Sequence, residues 1–172
     1  MRHDRRPGVR LDASCLMPHT LGRNARIAAL VFLAIPVFIL STSALCSWAI
    51  AHGASPSWRL PFRLFCHGMP ERCFLLFGVA MPICARCTAI YLGLFAGLLT
   101  FIAMPWMQER FLRVAMYIGA VPLAVDGITQ LMHLRESTNP LRFGTGVIAG
   151  FMFGMWVLSA IEKPEKRLFP TP

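Results

Sequence analysis

The stretch Cys84 to Met104, CARCTAIYLGLFAGLLTFIAM, decides how this chain is read. Its apolar part has the length that a helix needs to cross a bilayer core, about 20 residues. Its polar start carries Cys84, Arg86 and Cys87. Three comparable windows lie on either side of it: Ile27 to Ile50, about Phe111 to Leu134 with Asp126 inside, and Phe143 to Ile161. The expected fold is all-α, a polytopic membrane bundle of about four transmembrane helices. Phe74 to Ile83 is also apolar but too short to span. Bracketed by Pro70 and Pro82, the segment 66–83 is expected to be re-entrant or interfacial. This divides the chain into a basic cytoplasmic tail over 1–24, a single transmembrane domain over 25–161 with helices at about 27–50, 84–104, 111–134 and 143–161, and a second tail over 162–172.

Composition agrees with a bilayer as the main solvent. Of 172 residues, 56% are hydrophobic and 15% charged, and the mean hydropathy is +0.57, values that exclude an ordinary soluble domain. The net charge of +9 raises the question of nucleic acid, but the basic residues follow the apolar windows. Eleven of the seventeen Lys and Arg fall on one side of the expected bundle: Arg2, Arg5, Arg6, Arg10, Arg23, Arg26, Arg110, Arg113, Lys163, Lys166 and Arg167. The positive-inside rule then places both termini in the cytoplasm of a multi-pass cell-membrane protein, with no nucleic-acid partner. Ala49-Ile50-Ala51 resembles a signal-peptidase site. The apolar run before it is longer than a usual signal core and is interrupted by Pro36, which favours a retained helix.

Gly93 and Gly97 on the second helix, and Gly146, Gly150 and Gly154 on the fourth, share a four-residue spacing. Small residues so placed let membrane helices approach closely. The cysteine-bearing start of the second helix would then lie near Arg142 and Thr145.

Cys66, His67, Cys84 and Cys87 are the types and number of ligands that a tetrahedral metal such as zinc takes. Cysteines at a helix start also feel its positive dipole end, which favours the thiolate. Adjacent residues rarely both bind one ion, so Cys66 or His67 would join the pair, with Asp126, His133 or water completing the shell. On an oxidising face the same cysteines, with Cys73 as a further partner, suit a disulfide. Packed, inert thiols are the third option. Copper, through Met69 and Met81 beside the cluster, is a lesser one.

The second constellation is Asp126-Gly127-x-Thr129-Gln130 with His133, Arg135, Ser137, Asn139 and Arg142. Helical spacing would put Asp126, Thr129, Gln130 and His133 on one face. An acid inside a membrane span must be paired or protonated, so Asp126 should face the interior opposite Arg86, Arg135 or Arg142. Asp126, Arg86 and Gln130 are the candidate catalytic residues. Arg72, Arg135, Ser137, Asn139 and Arg142 are the candidate substrate contacts, since several guanidinium groups with few acids nearby make an anion site.

These motifs, from Cys66-His67 through Glu71-Arg72, Cys84-Ala85-Arg86-Cys87-Thr88 and Asp126 to Gly146, closely resemble the integral membrane family called domain of unknown function 2085. The resemblance covers about Phe65 to Gly150. It departs at Cys73, where the family pattern has serine, and that speaks against Cys73 as an essential ligand. The second half also resembles the VanZ-like membrane family over Asp126 to Gly150, with a departure at Gly127. That likeness implies a cell-envelope lipid role by analogy alone.

Three functions fit. The leading one is a metal-supported outward site that binds or acts on an anionic lipid or polyprenyl-phosphate head group. The others are an envelope thiol/disulfide oxidoreductase or electron-transfer partner, and a transporter or scaffold without catalysis. Membrane lipids are the expected partners, with a helix-mediated homo-oligomer as a further one. No nucleotide loop or nucleophile-base motif marks the chain as an enzyme.

Overall fold

The computed structural model describes residues 23–104, 107–134 and 136–168, without the side chains of 25 and 163–168. The basic amino-terminal tail with Cys15, Arg135, and the side chains of Lys163, Lys166 and Arg167 lie outside the described residues. Four helices form the body: α1 (Arg23–Ala51), α2 (Ala85–Ala103), α3 (Glu109–Leu131) and α4 (Asn139–Leu168). Each contains a stretch long and apolar enough to cross a membrane. Leu30 and Phe38 on α1 and Tyr117 and Ile118 on α3 are among the large side chains left exposed, the surface a helix presents to lipid rather than water.

Helix α4 is the centre of the bundle, packing on both α2 and α3, while α1 packs on α2. The glycine spacing explains the α2–α4 contact. A Cβ at Gly154 would stand 2.6 Å from the Leu94 carbonyl oxygen, and one at Gly146 would stand 2.8 Å from that of Arg86. Gly150 meets Ile90 in the same way, and from the other side Gly93 and Gly97 meet Val147 and Phe151. Backbone therefore lies against backbone along the contact, the arrangement that drives association where no hydrophobic effect acts between helices. The pairing order makes α2 and α4 parallel, so their amino-terminal ends share one end of the bundle.

Between α1 and α2 the chain forms a β-hairpin where a re-entrant or interfacial segment was expected. Strand β1 (Cys73–Leu76) pairs antiparallel with β2 (Val79–Cys84), joining Leu76 to Val79 and Cys73 to Cys84 around an irregularity between Cys73 and Leu75. Phe77 and Gly78 both have positive φ, 56° and 76°, as a two-residue type I′ hairpin turn requires. Pro82 sits within β2. A two-stranded sheet has a free edge on each strand, so the missing N–H is tolerated. Met81 and Ile83 of β2 are buried with Cys66 against Ile39, Leu40 and Phe62. Short 3-10 turns at Pro56–Leu64 and Pro70–Arg72 complete the segment. Arg59 in the first of these turns donates to the Ala80 carbonyl at 2.8 Å.

Helices α3 and α4 end differently from expectation. Helix α3 stops at Leu131: His133 adopts φ 54°, its N–H bonds to Gln130 O at 3.1 Å, and the N–H of Leu134 bonds to Thr129 O at 3.0 Å. That pair of bonds is a Schellman cap, so His133 terminates the helix instead of extending its polar face. Helix α4 begins at Asn139 and continues to Leu168, well beyond the 143–161 window. Pro140 suits its first turn, which puts Asn139 and Arg142 on the helix itself.

Candidate functional site

The parallel α2 and α4 and the antiparallel α3 bring the start of α2, the end of α3 and the start of α4 together, beside the loop that follows the first 3-10 turn. In that loop Gly68 has φ 57°, and a Cβ there would lie 2.7 Å from the Pro82 carbonyl oxygen. Only glycine lets the loop turn and close on β2 at this point. The closure sets Cys66 against the α2 start, where Cys84 is the N-cap residue and Cys87 lies in the first turn.

The Cys66, Cys84 and Cys87 sulfur atoms all lie within 4.8 Å of one another. The backbone N–H of Cys84 donates to the Cys66 sulfur at 3.2 Å. Hydrogen bonds from the Cys84 and Cys87 thiols, with backbone N–H groups of Cys84 and Gly68, hold Cys66 well below the ordinary thiol range against the opposing effect of burial. Cys73 behaves oppositely. Burial, and then negative charge at Cys84 and Cys66, pushes it up to about 11, and its thiol donates to the Met69 carbonyl at 3.0 Å. A serine hydroxyl would make the same bond.

Arg86, in the first turn of α2, forms an ion pair with Asp126 of α3 and donates to Gln130 Oε1 at 3.3 Å. Asp126 is only 2% exposed. Arg142 of α4 is 7% exposed and donates to Asn139 Oδ1 at 3.1 Å. Five buried donors have no hydrogen-bond partner among the described residues, and three of them sit at this end of the bundle: Arg86 Nε, Gln130 Nε2 and Arg142 Nε, the others being Arg59 Nε and Trp156 Nε1.

A cavity of about 440 Å³ joins the groups. It is lined by the three clustered cysteines, by Arg72, Arg86, Gln130 and Arg142, and by Phe65, His67, Gly68 and Met69. A second cavity of about 280 Å³ shares Arg72, Gln130 and Arg142 and adds Glu71, His133, Glu136 and Ser137. Of the expected metal ligands, the three cysteines come together, while His67 is exposed, lines the cavity and stays outside the sulfur group. Asp126 lines neither cavity and holds Arg86 instead. Asn139 likewise lines neither and touches Arg142. Thr129 bonds back to the Val125 carbonyl at 2.8 Å.

The family described as Predicted membrane protein (DUF2085) matches residues 66–156, more than half of the chain. The chain belongs to this family. Among its relatives, an uncharacterised protein of Methanocaldococcus jannaschii is 43% identical over 99 residues, covering 56% of this chain and 64% of the relative. An uncharacterised protein of Methanothermobacter thermautotrophicus is 42% identical over 102 residues, covering 59% of this chain and 90% of the relative. The match to the first spans less than two thirds of its length. No solved structure matches the chain. With four spanning-length helices, this DUF2085 protein is a multi-pass membrane protein. The family match opens at Cys66 and takes in every residue lining the two cavities except Phe65.

Residue-type reasoning missed Phe65 and Gly68 as part of the site. The left-handed turn that demands glycine at position 68 depends on β2, which the expectation of a re-entrant or interfacial segment over 66–83 did not contain. It also passed over two buried acids, Glu109 and Glu162. Glu109 is paired with Arg113 at the start of α3, the end of that helix away from the cavities.

Proposed function

We propose that this protein is a cell-membrane protein that binds the phosphate-bearing head group of an anionic lipid in the Cys/Arg cavity, next to a zinc ion held by Cys66, Cys84 and Cys87. One observation carries the reading. Arg86, Gln130 and Arg142, each with a buried donor that has no partner among the described residues, line the cavity that three clustered thiols also line. Buried donors of this kind cost free energy unless an acceptor satisfies them. A tetrahedral oxyanion offers several acceptors to forked guanidinium groups.

Three thiolates would fill three of the four positions that zinc takes, leaving one for a ligand from the cavity, and the ion would offset most of the negative charge that the thiolates carry beside the arginines. Asp126 acts in this reading as a positioning residue: by neutralising and orienting Arg86 it keeps that guanidinium directed at the head group. His67 and Arg72 line the Cys/Arg cavity and would contact the ligand there, while Ser137 lines the second cavity, which shares Arg72, Gln130 and Arg142 with it. The Lys/Arg distribution supports cytoplasmic termini and a site facing outward. Labelling of a Thr138→Cys variant by a membrane-impermeant maleimide from the cytoplasmic side alone would reverse that orientation.

The test is a thermal-shift titration of the full chain in neutral detergent with inorganic phosphate against chloride at matched ionic strength. A ligand that binds only the folded state raises the unfolding temperature with concentration. Phosphate is expected to do so in the wild type and to lose the effect in Arg142→Gln. Equal behaviour of the two anions in the wild type would refute the head-group reading.

A further inference from the structure

A second concavity lies on the flank of the bundle. Between α1 and the 3-10 turn over Pro56–Leu64 runs an apolar groove of about 740 Å³, with Val31, Ile35, Phe38 and Thr42 of α1 along it and Phe62 and Phe65 at the turn. Its single hydroxyl-bearing wall residue, Thr42, already donates to the Phe38 carbonyl at 2.6 Å. That leaves a groove surface suited to hydrocarbon. Phe65 is the notable wall, because it lines this groove and also the Cys/Arg cavity. The next residue in the chain is Cys66.

Three features of this groove fit a lipid chain. It lies on a helix of spanning length and composition, so lipid is the medium it meets. The stretch from Val31 to Thr42 measures about 16 Å at 1.5 Å of rise per residue, close to half of a hydrocarbon core about 30 Å thick. Finally, the groove and the Cys/Arg cavity share Phe65 as a wall, which would set a head group in the cavity beside its own tail in the groove.

We infer that the cavity and the groove are two halves of one amphiphile site, in which the groove takes a hydrocarbon chain of the same anionic lipid whose head group enters the cavity past Phe65. This rests on the head-group reading above and adds to it a lateral entry route from the bilayer. The head-group reading is thereby extended to a defined place for the hydrocarbon chain of the lipid.

The experiment uses the full chain in phosphatidylcholine nanodiscs and two photoreactive probes that share one diazirine-bearing alkyl chain. One has a phosphate head and the other a trimethylammonium head. Cross-links are mapped by peptide mass spectrometry. Labelling within residues 31–42 is expected to be about tenfold greater with the phosphate probe, the effect of roughly one charge-assisted hydrogen bond. Ile35→Trp, at a lipid-exposed position, should lower labelling by the phosphate probe while the phosphate thermal shift of the protein persists. Equal labelling by both probes, with the phosphate thermal shift intact, would overturn the shared site and leave the head-group reading standing. Loss of the thermal shift from the wild type would remove both.

Discussion

Arg86 of α2 and Asp126 of α3 form an ion pair that joins two helices otherwise held together mainly through α4. The acid is 2% exposed, so its charge has little recourse to water. Removing one member of such a pair leaves the other uncompensated, at a cost of about 3 kcal/mol or more. Asp126→Asn is therefore expected to lower the unfolding temperature of the detergent-purified protein sharply. The double variant Arg86→Gln with Asp126→Asn should lose less than the sum of the single losses. Additive losses in size-exclusion thermal melts would show that the two charges do not depend on each other.

The glycines offer a contrast within one helix. Gly150 abuts the Ile90 backbone, whereas a Cβ at Gly144 would meet nothing within 4 Å. Gly150→Val should abolish folded yield because backbone cannot retreat from it. Gly144→Ala should hold stability or raise it by about 0.5 kcal/mol through a less flexible unfolded chain. Comparable yields for the two variants in fluorescence-detected chromatography would contradict the close α2–α4 contact.

Cys73 gives a pH prediction. Its folded-state pKa is raised from 9.0 to about 11, so the native state holds this proton more tightly than the unfolded chain. Stability from this group is full below pH 9.0 and falls as pH rises toward about 11. Cys73→Ser, which keeps a donor for the Met69 carbonyl, should fold normally and show a shallower loss of stability over that alkaline window. An unchanged slope would mean that Cys73 does not titrate there.

Much of the architecture is legible in the residues themselves. The apolar windows mark all four helices because a bilayer imposes length and hydropathy together. The glycine spacing identifies the α2–α4 contact because small residues are what such a contact needs. With α2 and α4 parallel, the cysteine and arginine motifs must meet, as the cavity shows. What stays illegible depends on local backbone chemistry. Phe77 in a left-handed conformation is a poor advertisement for a type I′ turn, so the hairpin was expected to be re-entrant. His133 occupies the left-handed position usually given to glycine, which hid the end of α3. Which arginine would pair with Asp126 also had no sequence signal, since Arg86 and Arg142 both reach the same end of the bundle.

The most direct test of the central claim is the metal content of the full chain, purified in neutral detergent under reducing conditions and measured by elemental analysis with thiol titration. The account predicts about one zinc per chain, its loss in Cys84→Ser, and its retention in Cys73→Ser. Metal-free wild-type protein with Cys66, Cys84 and Cys87 fully titratable would contradict it, as would a Cys84→Ser variant that keeps its zinc.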